Sequence, residues 1–368
     1  MHIPFVDLTA QYQSIKQDID MAIASVIAET AFIGGKYVQQ FETEFAKLNG
    51  VKYCISCANG TDALYIIMQM LGIGAGDEVI TVTNSWISSS ETITQTGAKP
   101  VFVDCHPDYY TIDDALIGAK ITARTKAIIP VHLHGQVCDM DAIRAIAARH
   151  QLYIIEDCAQ SHFSEYNGQF AGTIGNASAF SFYPGKNLGA YGDAGCILTN
   201  DDALAKKCRM YARHGALVKY QHQIEGINSR MDGLQAAILL AKLPYIFRWT
   251  VQRIANAAYY NQLLEGIQEI VLPVVRPASK HTFHLYVIRC KKRDDLARFL
   301  KNKGIETVIH YPTPLPELQA YQYLGHQSQD FPISHQYQYE ILSLPLYPEL
   351  TKAQMDHVAH TIKAFYAL

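Results

Sequence analysis

Between residues 50 and 200 the chain repeats one pattern: a short run that is apolar throughout, an amphipathic stretch, then another apolar run. The runs fall at 51–56, 78–82, 100–103, 127–131, 152–155, 177–182 and 194–198, with helical patterns at 62–71, 88–95 and 140–150 between them. A strand with one wet face alternates apolar and polar residues, whereas a strand covered on both faces has no reason to. Unbroken apolar runs interleaved with helices therefore specify an α/β domain, with a large, mostly parallel central sheet covered by helices on both sides.

Two helical segments, 12–29 and 38–48, precede this core, separated by Phe32-Ile33-Gly34-Gly35. Helical patterns at 203–213, 231–242 and 245–264 follow it. Residues 273–279 break the pattern, after which a strand at 284–289 and helices at 293–303 and 352–365 read as a smaller α+β domain. The expected division is 1–245 and 246–368, with no internal repeat. A chain of 368 residues accommodates one large and one small domain. A formal net charge of −3 gives no electrostatic case for nucleic acid or an anionic membrane. The first residues lack the basic and apolar regions of a signal peptide, and no apolar stretch reaches the roughly 20 residues of a span. A cytoplasmic protein is the expectation.

The chemistry concentrates at the ends of the apolar runs. One run ends in Glu156-Asp157-Cys158-Ala159-Gln160, and another leads into Ser181-Phe182-Tyr183-Pro184-Gly185-Lys186-Asn187. Strand ends of this kind place a carboxylate and a lysine side by side, as pyridoxal phosphate (PLP) chemistry requires. The lysine holds the cofactor aldehyde as an imine and the acid keeps the pyridine nitrogen protonated. Lys186 and Asp157 are thus the candidate catalytic pair. Once substrate displaces it, the Lys186 amine is positioned to shuttle a proton.

Asn59-Gly60-Thr61-Asp62 follows the first run and opens a helix. Free N–H groups at a helix start bind phosphate, and Gly60 permits close approach. Thr61 can add a hydroxyl, while Asp62 suits the helix dipole with its side chain turned away from a phosphate. Trp86 follows the second run, where an aromatic can stack on a pyridine ring. Gln160 can hydrogen-bond the ring hydroxyl, and Ser181 stands near enough to Lys186 to donate to the phosphate.

Three other patterns do not read as nucleotide or metal sites, and His132 to His134 reads as structural or substrate-lining. Gly72-Ile73-Gly74-Ala75-Gly76 ends a helix and precedes a strand, the reverse of a dinucleotide fingerprint. His132-Leu133-His134 has no third ligand in view, and Cys54-Ile55-Ser56-Cys57 lies within a strand without a second cysteine pair. No metal site is expected.

In order along the chain, several segments resemble the DegT/DnrJ/EryC1 family of PLP-dependent nucleotide-sugar aminotransferases. They include Phe32 to Val38, Asn59 to Leu64, Gly76 to Ile80, Gly97 to Asp104, Glu156 to Gln160, Phe180 to Asn187, Gly192 to Gly195, and Asn228 to Asp232 with Gln235 to Ala237. The resemblance runs nearly end to end and implies the type I PLP-dependent transferase fold of aspartate aminotransferase. It carries over the roles argued above: Asp157, Gln160, Ser181 and Lys186 hold the cofactor, Trp86 stacks on it, and Gly60, Thr61 and Asp62 cradle its phosphate. It further implies a homodimer with shared active sites, in which Asn228 reaches the partner's phosphate with Arg230 close by. The loop at 215–226 would line the substrate entrance. Members with histidine in place of the lysine are dehydratases, so Lys186 sets this chain with the aminotransferases. The intact Lys186, Asp157 and Gln160 set also argues against a non-catalytic sensor. The chain departs from the family pattern at Asn59, where serine is commoner, and at Asp193-Ala194, where a second glycine is frequent.

The stretches 183–190, 192–195 and 157–163 look most like the subgroup that aminates C-3 of dTDP-3-keto-6-deoxyhexoses, giving a dTDP-3-amino-3,6-dideoxyhexose, with L-glutamate as donor. Amination at C-4 of a dTDP- or UDP-4-keto-6-deoxy sugar is the alternative. His162, Tyr183, Arg230, His310 and Tyr311 are the candidate substrate contacts.

Overall fold

The computed structural model describes residues 1–367. Its centre is a seven-stranded sheet of β1 (Tyr53–Cys57), β2 (Glu78–Val82), β3 (Lys99–Val103), β4 (Thr125–Ile129), β5 (Tyr153–Asp157), β6 (Ala177–Ser181) and β7 (Gly195–Thr199). The strand order is β1-β7-β6-β5-β4-β2-β3. Pairs β3/β2, β2/β4, β4/β5 and β5/β6 are parallel, while β7 runs antiparallel to both β6 and β1. Strands such as β2 and β7 are buried at every position, as their unbroken apolar runs require.

Helices cover this sheet. They are α1 (Leu8–Ser14), α2 (Lys16–Ala28), α3 (Gly35–Asn49), α4 (Gly60–Met70), α5 (Ser88–Gln95), α6 (Met140–His150), α7 (Asp202–Tyr211) and α8 (Gly233–Lys242). The segment expected as one helix at 12–29 is two. Ile15 leaves the helical region (φ −134°) and sends its side chain into the core, while Asp7 caps a separate first helix through the Ala10 N–H.

The C-terminal part holds a three-stranded sheet of β8 (Ile270–Val271), β9 (Tyr286–Cys290) and β10 (Ile341–Leu344), antiparallel throughout. Helices α9 (Ile246–Leu264), α10 (Arg293–Asn302) and α11 (Lys352–Tyr366) accompany it. Side chains alternate between the two faces of a strand. Val287 and Ile341 accordingly join the core of the large sheet, while Tyr286, Ile288, Leu342 and Leu344 join a second core with Tyr260, Leu296 and Val358. Strand β10 went unread in the sequence because its four residues run straight into Pro345. We propose that the two cores mark the two domains. Helix α9 links them, with Ile246 and Trp249 in the first and Ala257, Tyr260 and Leu264 in the second. Ile3, bridged to Ile305, belongs to the second core despite its place in the sequence.

Candidate active site

Parallel strands leave a crevice beyond their carboxyl ends, and the candidate residues collect there. Asp157 is the last residue of β5 and Ser181 the last of its neighbour β6. Beyond Ser181 the chain turns sharply, with the Lys186 N–H donating to Tyr183 O at 2.8 Å. Gly189 allows the turn: a Cβ there would lie 2.3 Å from Pro184 O. Lys242 Nζ, fully buried at the end of α8, donates to Gly189 O at 2.7 Å and braces the loop from beneath.

Asp157 is buried, with Oδ1 accepting from the Ala159 N–H at 3.1 Å and Oδ2 from Ser89 Oγ at 2.8 Å. Burial pushes its pKa up, against the pull of those donors and of the Lys186 charge. Burial also brings the Lys186 amine down to about 8, while Asp157 opposes the fall. Each group feels the other's charge, as a lysine and an acid on either side of one cofactor would.

Both line a cavity of ≈ 460 Å³, together with Gly60, Thr61, Trp86, Gln160, Ser181, Tyr183, His310 and Tyr311. The N-terminus of α4 forms one wall. Asn59 caps it by accepting from the Asp62 N–H at 2.7 Å, which leaves the Gly60 and Thr61 N–H groups without intrahelical partners. The Asp62 N–H serves the cap, and its Oδ2 accepts from Ser229 Oγ at 2.6 Å. Its carboxylate therefore points away from the cavity, and it supports the cradle from behind. The helix start sits hard against the sheet. A Cβ on Gly60 would lie 2.7 Å from Ser181 Cβ, and one on Gly195 2.3 Å from the Asn59 carbonyl carbon.

Gln160 is held at both ends, Oε1 accepting from the His134 N–H at 2.7 Å and Nε2 donating to Tyr311 Oη at 2.9 Å. Tyr311 in turn faces Trp86, with ring centroids 5.8 Å apart, and Trp86 and Tyr183 are exposed at the cavity mouth. A smaller cavity of ≈ 230 Å³ shares Gln160, Tyr183, Lys186, His310 and Tyr311, and adds Phe5, Val6, Arg253 and His284. Arg253 is buried, its Nη1 donates to Phe283, His284 and Leu346 carbonyls, and its Nε has no partner.

His162 does not face either cavity. It is fully buried between Phe180 and Phe182, at centroid distances of 5.4 and 5.5 Å, and burial lowers its pKa to about 3. Its expected contact with substrate is withdrawn, because an aromatic-packed neutral imidazole has no route to a ligand. Asn228 and Arg230 are exposed, and Arg230 lines a separate surface pocket with Ile33, Arg213, Lys219 and Tyr220. The cavity that Lys186 and Asp157 line thus lacks both.

His132 donates from Nε2 to Glu156 at 2.9 Å, since its Nδ1 accepts the Cys138 N–H at 3.2 Å. Glu156 also accepts from the Gly172, Ile174 and Gly175 N–H groups, so the His132, Glu156 and Cys158 cluster is spent on tying loops together. Residues that sequence reasoning missed are Ser85, Ser88 and Ser89 around the start of α5, and Arg253 and His284 from the distal half of the chain. The one local signal was the hydroxyl spacing Ser85–Ser89, four apart at a helix entrance.

The donor set fits PLP. A lysine with a lowered pKa, a buried acid without a cationic partner in contact, and a glycine-floored helix start open on one cavity. Comparison with known proteins agrees. The pattern of the DegT/DnrJ/EryC1/StrS aminotransferase family matches residues 13–363. A Geobacillus stearothermophilus protein named "pleiotropic regulatory protein" is 46% identical over 368 residues, covering 100% of this chain and 99% of its own. The dTDP-3-amino-3,6-dideoxy-alpha-D-galactopyranose transaminase of Aneurinibacillus thermoaerophilus is 43% identical, with 99% of each covered. The crystal structure of S. venezuelae DesV in complex with a ketimine intermediate superposes with a TM-score of 0.97 at 39% identity, over 99% of this chain and 98% of that one. The chain therefore belongs to the DegT/DnrJ/EryC1/StrS aminotransferase family, and its cofactor is pyridoxal phosphate.

Proposed function

We propose that the enzyme transfers an amino group from L-glutamate to the C-3 keto group of a dTDP-3-keto-6-deoxyhexose. The observation that carries the transaminase reading is the convergence of Lys186 and Asp157 on one cavity. The 43% identical transaminase, whose name specifies a dTDP-3-amino-3,6-dideoxyhexose, supports the regiochemistry.

When bound, the cofactor supplies an electron sink for the carbanion beside the amino group. The chain's own residues do the rest. Asp157 would hold a proton on the cofactor's ring nitrogen, with burial keeping water from competing for it. The Gly60 and Thr61 N–H groups and Ser181 Oγ would hold its phosphate, and Trp86 would lie against its ring. Lys186 Nζ takes the proton from the carbon that carries the amino group and later returns one, a task suited to a pKa of about 8. Gln160, Tyr183, His310 and Tyr311 line both cavities, so the acceptor sugar and the donor amino acid are oriented over the same amine. For the donor carboxylate, Arg253 offers a buried guanidinium that forms no ion pair with a carboxylate among the described residues; only the field of Glu349 reaches it.

The active form would be a homodimer. Ile33 and Tyr220 are large and exposed in the pocket that Arg230 lines, and Phe32 beside Ile33 is exposed too, the pattern of a surface that another subunit covers. Asn228 and Arg230 would complete the partner's site. Among the described residues no helix is long and apolar enough to cross a membrane, and we place the enzyme in the cytoplasm with its nucleotide-sugar substrate.

Mass spectrometry of products from 3-keto and 4-keto dTDP- and UDP-sugars with glutamate tests the assignment. A new amine at C-3 of the dTDP sugar is expected; amination confined to a 4-keto sugar would overturn it.

A further inference from the structure

Asp157 keeps its orientation through a group that the reaction scheme above does not use. Ser89 is fully buried, and its Oγ lies 2.8 Å from Asp157 Oδ2. Ser85 Oγ lies 2.8 Å from Ser89 Oγ, and Ser85 itself lines the cavity. Proton accounting fixes the direction of this chain. An ionised carboxylate only accepts, so the single Ser89 proton is committed to Asp157. Ser89 can then only accept from Ser85, whose proton is committed in turn. Ser85 is left facing the cavity as an acceptor alone. Chains of this kind polarise each other, and low dielectric strengthens every link. The remaining Asp157 oxygen is fixed by the Ala159 N–H at 3.1 Å. The carboxylate is therefore gripped on both oxygens, one by a backbone donor and one by a hydroxyl that belongs to a different element, at the start of α5.

We propose that Ser85 and Ser89 form a one-way hydroxyl relay that keeps Asp157 ionised and aimed at the ring nitrogen of the cofactor, with Ser89 as a positioning residue for transamination. This rests on Asp157 being the partner of that nitrogen. Ser89 never touches the cofactor; it acts through the acid. Burial raises the proton affinity of Asp157 and the Ser89 hydrogen bond opposes it, so removal of the hydroxyl leaves the acid competing with the ring for their shared proton. Ser85 is one link further away, so its loss has the same sign and a smaller size. A purely architectural serine at a helix entrance would show neither gradation.

The test uses the holoenzyme loaded with cofactor labelled with ¹⁵N in its ring, comparing wild type, Ser89→Ala, Ser89→Thr and Ser85→Ala. A charge-assisted hydrogen bond to a buried carboxylate sets the scale. In Ser89→Ala the ring ¹⁵N resonance should move toward the unprotonated position. Its kcat should fall by roughly ten- to a hundredfold, with KM for both substrates within about threefold. Ser85→Ala should show a smaller displacement in the same direction, and Ser89→Thr, which keeps a hydroxyl, should restore both readings. An unmoved ¹⁵N resonance in Ser89→Ala would overturn the relay. So would a Thr variant as impaired as Ala, or a Ser85→Ala effect as large as that of Ser89→Ala. Asp157→Asn separates the premise from the relay. If that variant keeps full turnover, the assignment of Asp157 fails; if it loses turnover while Ser89→Ala keeps its resonance, only the relay does.

Discussion

At pH 7.5 a lysine of ordinary pKa 10.5 is ~0.1% unprotonated, whereas one at about 8 is roughly one quarter unprotonated. Only the neutral amine attacks an aldehyde, so covalent capture of PLP by Lys186 should run roughly two-hundredfold faster than by an equally nucleophilic ordinary lysine. Cofactor-free enzyme mixed with saturating PLP in a stopped-flow spectrometer, from pH 6 to 10, reads this directly. The rate should climb about tenfold per pH unit and level off near pH 8. Asp157→Asn then serves as an internal control on the cause. Burial lowers the amine's pKa and the Asp157 charge raises it, so removal of that charge should move the break to lower pH. A rate still rising at pH 10, or a break that moves upward in Asp157→Asn, would refute the electrostatic reasoning. The same shift has a sign in folding. The unfolded chain takes up a proton on this lysine as pH falls from 10.5 toward 8, and the folded cofactor-free chain does not. The cofactor-free fold should therefore gain up to about 3 kcal/mol as pH rises through that window, a gain absent from Lys186→Met in thermal unfolding.

Gly195→Ala should drive the start of α4 off the sheet, because its Cβ would lie 2.3 Å from the Asn59 carbonyl carbon; we expect about 1–3 kcal/mol lost in denaturant unfolding and weaker PLP retention on dialysis. Coexpression of Lys186→Ala with Asn228→Ala tests shared sites. If Asn228 serves the partner, half the randomly mixed dimers carry one intact site, and ~25% of wild-type activity returns; no recovery above the parents would place Asn228 in its own subunit's site. Arg253→Gln should raise the glutamate KM about tenfold with the keto-sugar KM held within about twofold, as removal of a charged hydrogen bond to one substrate requires. Equal rises in both would make Arg253 a structural tie only.

The sheet, and the meeting of Lys186 and Asp157 at one cavity, were legible because each depends on short stretches of chain. An apolar run that ends in a carboxylate or a glycine-bearing turn carries its own meaning, and the strand at 78–82 and the helix at 88–95 fell where the pattern placed them. What stayed hidden depends on distant partners. The reversal of β7 turns on its pairing with β1 and β6, about which residues 194–198 say nothing. His162 sits beside Asp157 in sequence, yet its side chain leaves the crevice for Phe180 and Phe182. Arg253 and His284 reach Lys186 only because α9 and β9 fold back across the strand ends. Ser89 looked like one serine among three until its oxygen met Asp157, 68 positions away.

Helix α9 has its first turns in one core and its last in the other, and Arg253 at its middle grips three carbonyls from two different loops. A helix shared in this way couples the two cores, so any movement of one against the other must be taken up by bending it. Trp86 and Tyr183, the two exposed rings that line the cavity, are then the side chains a guest entering there meets first.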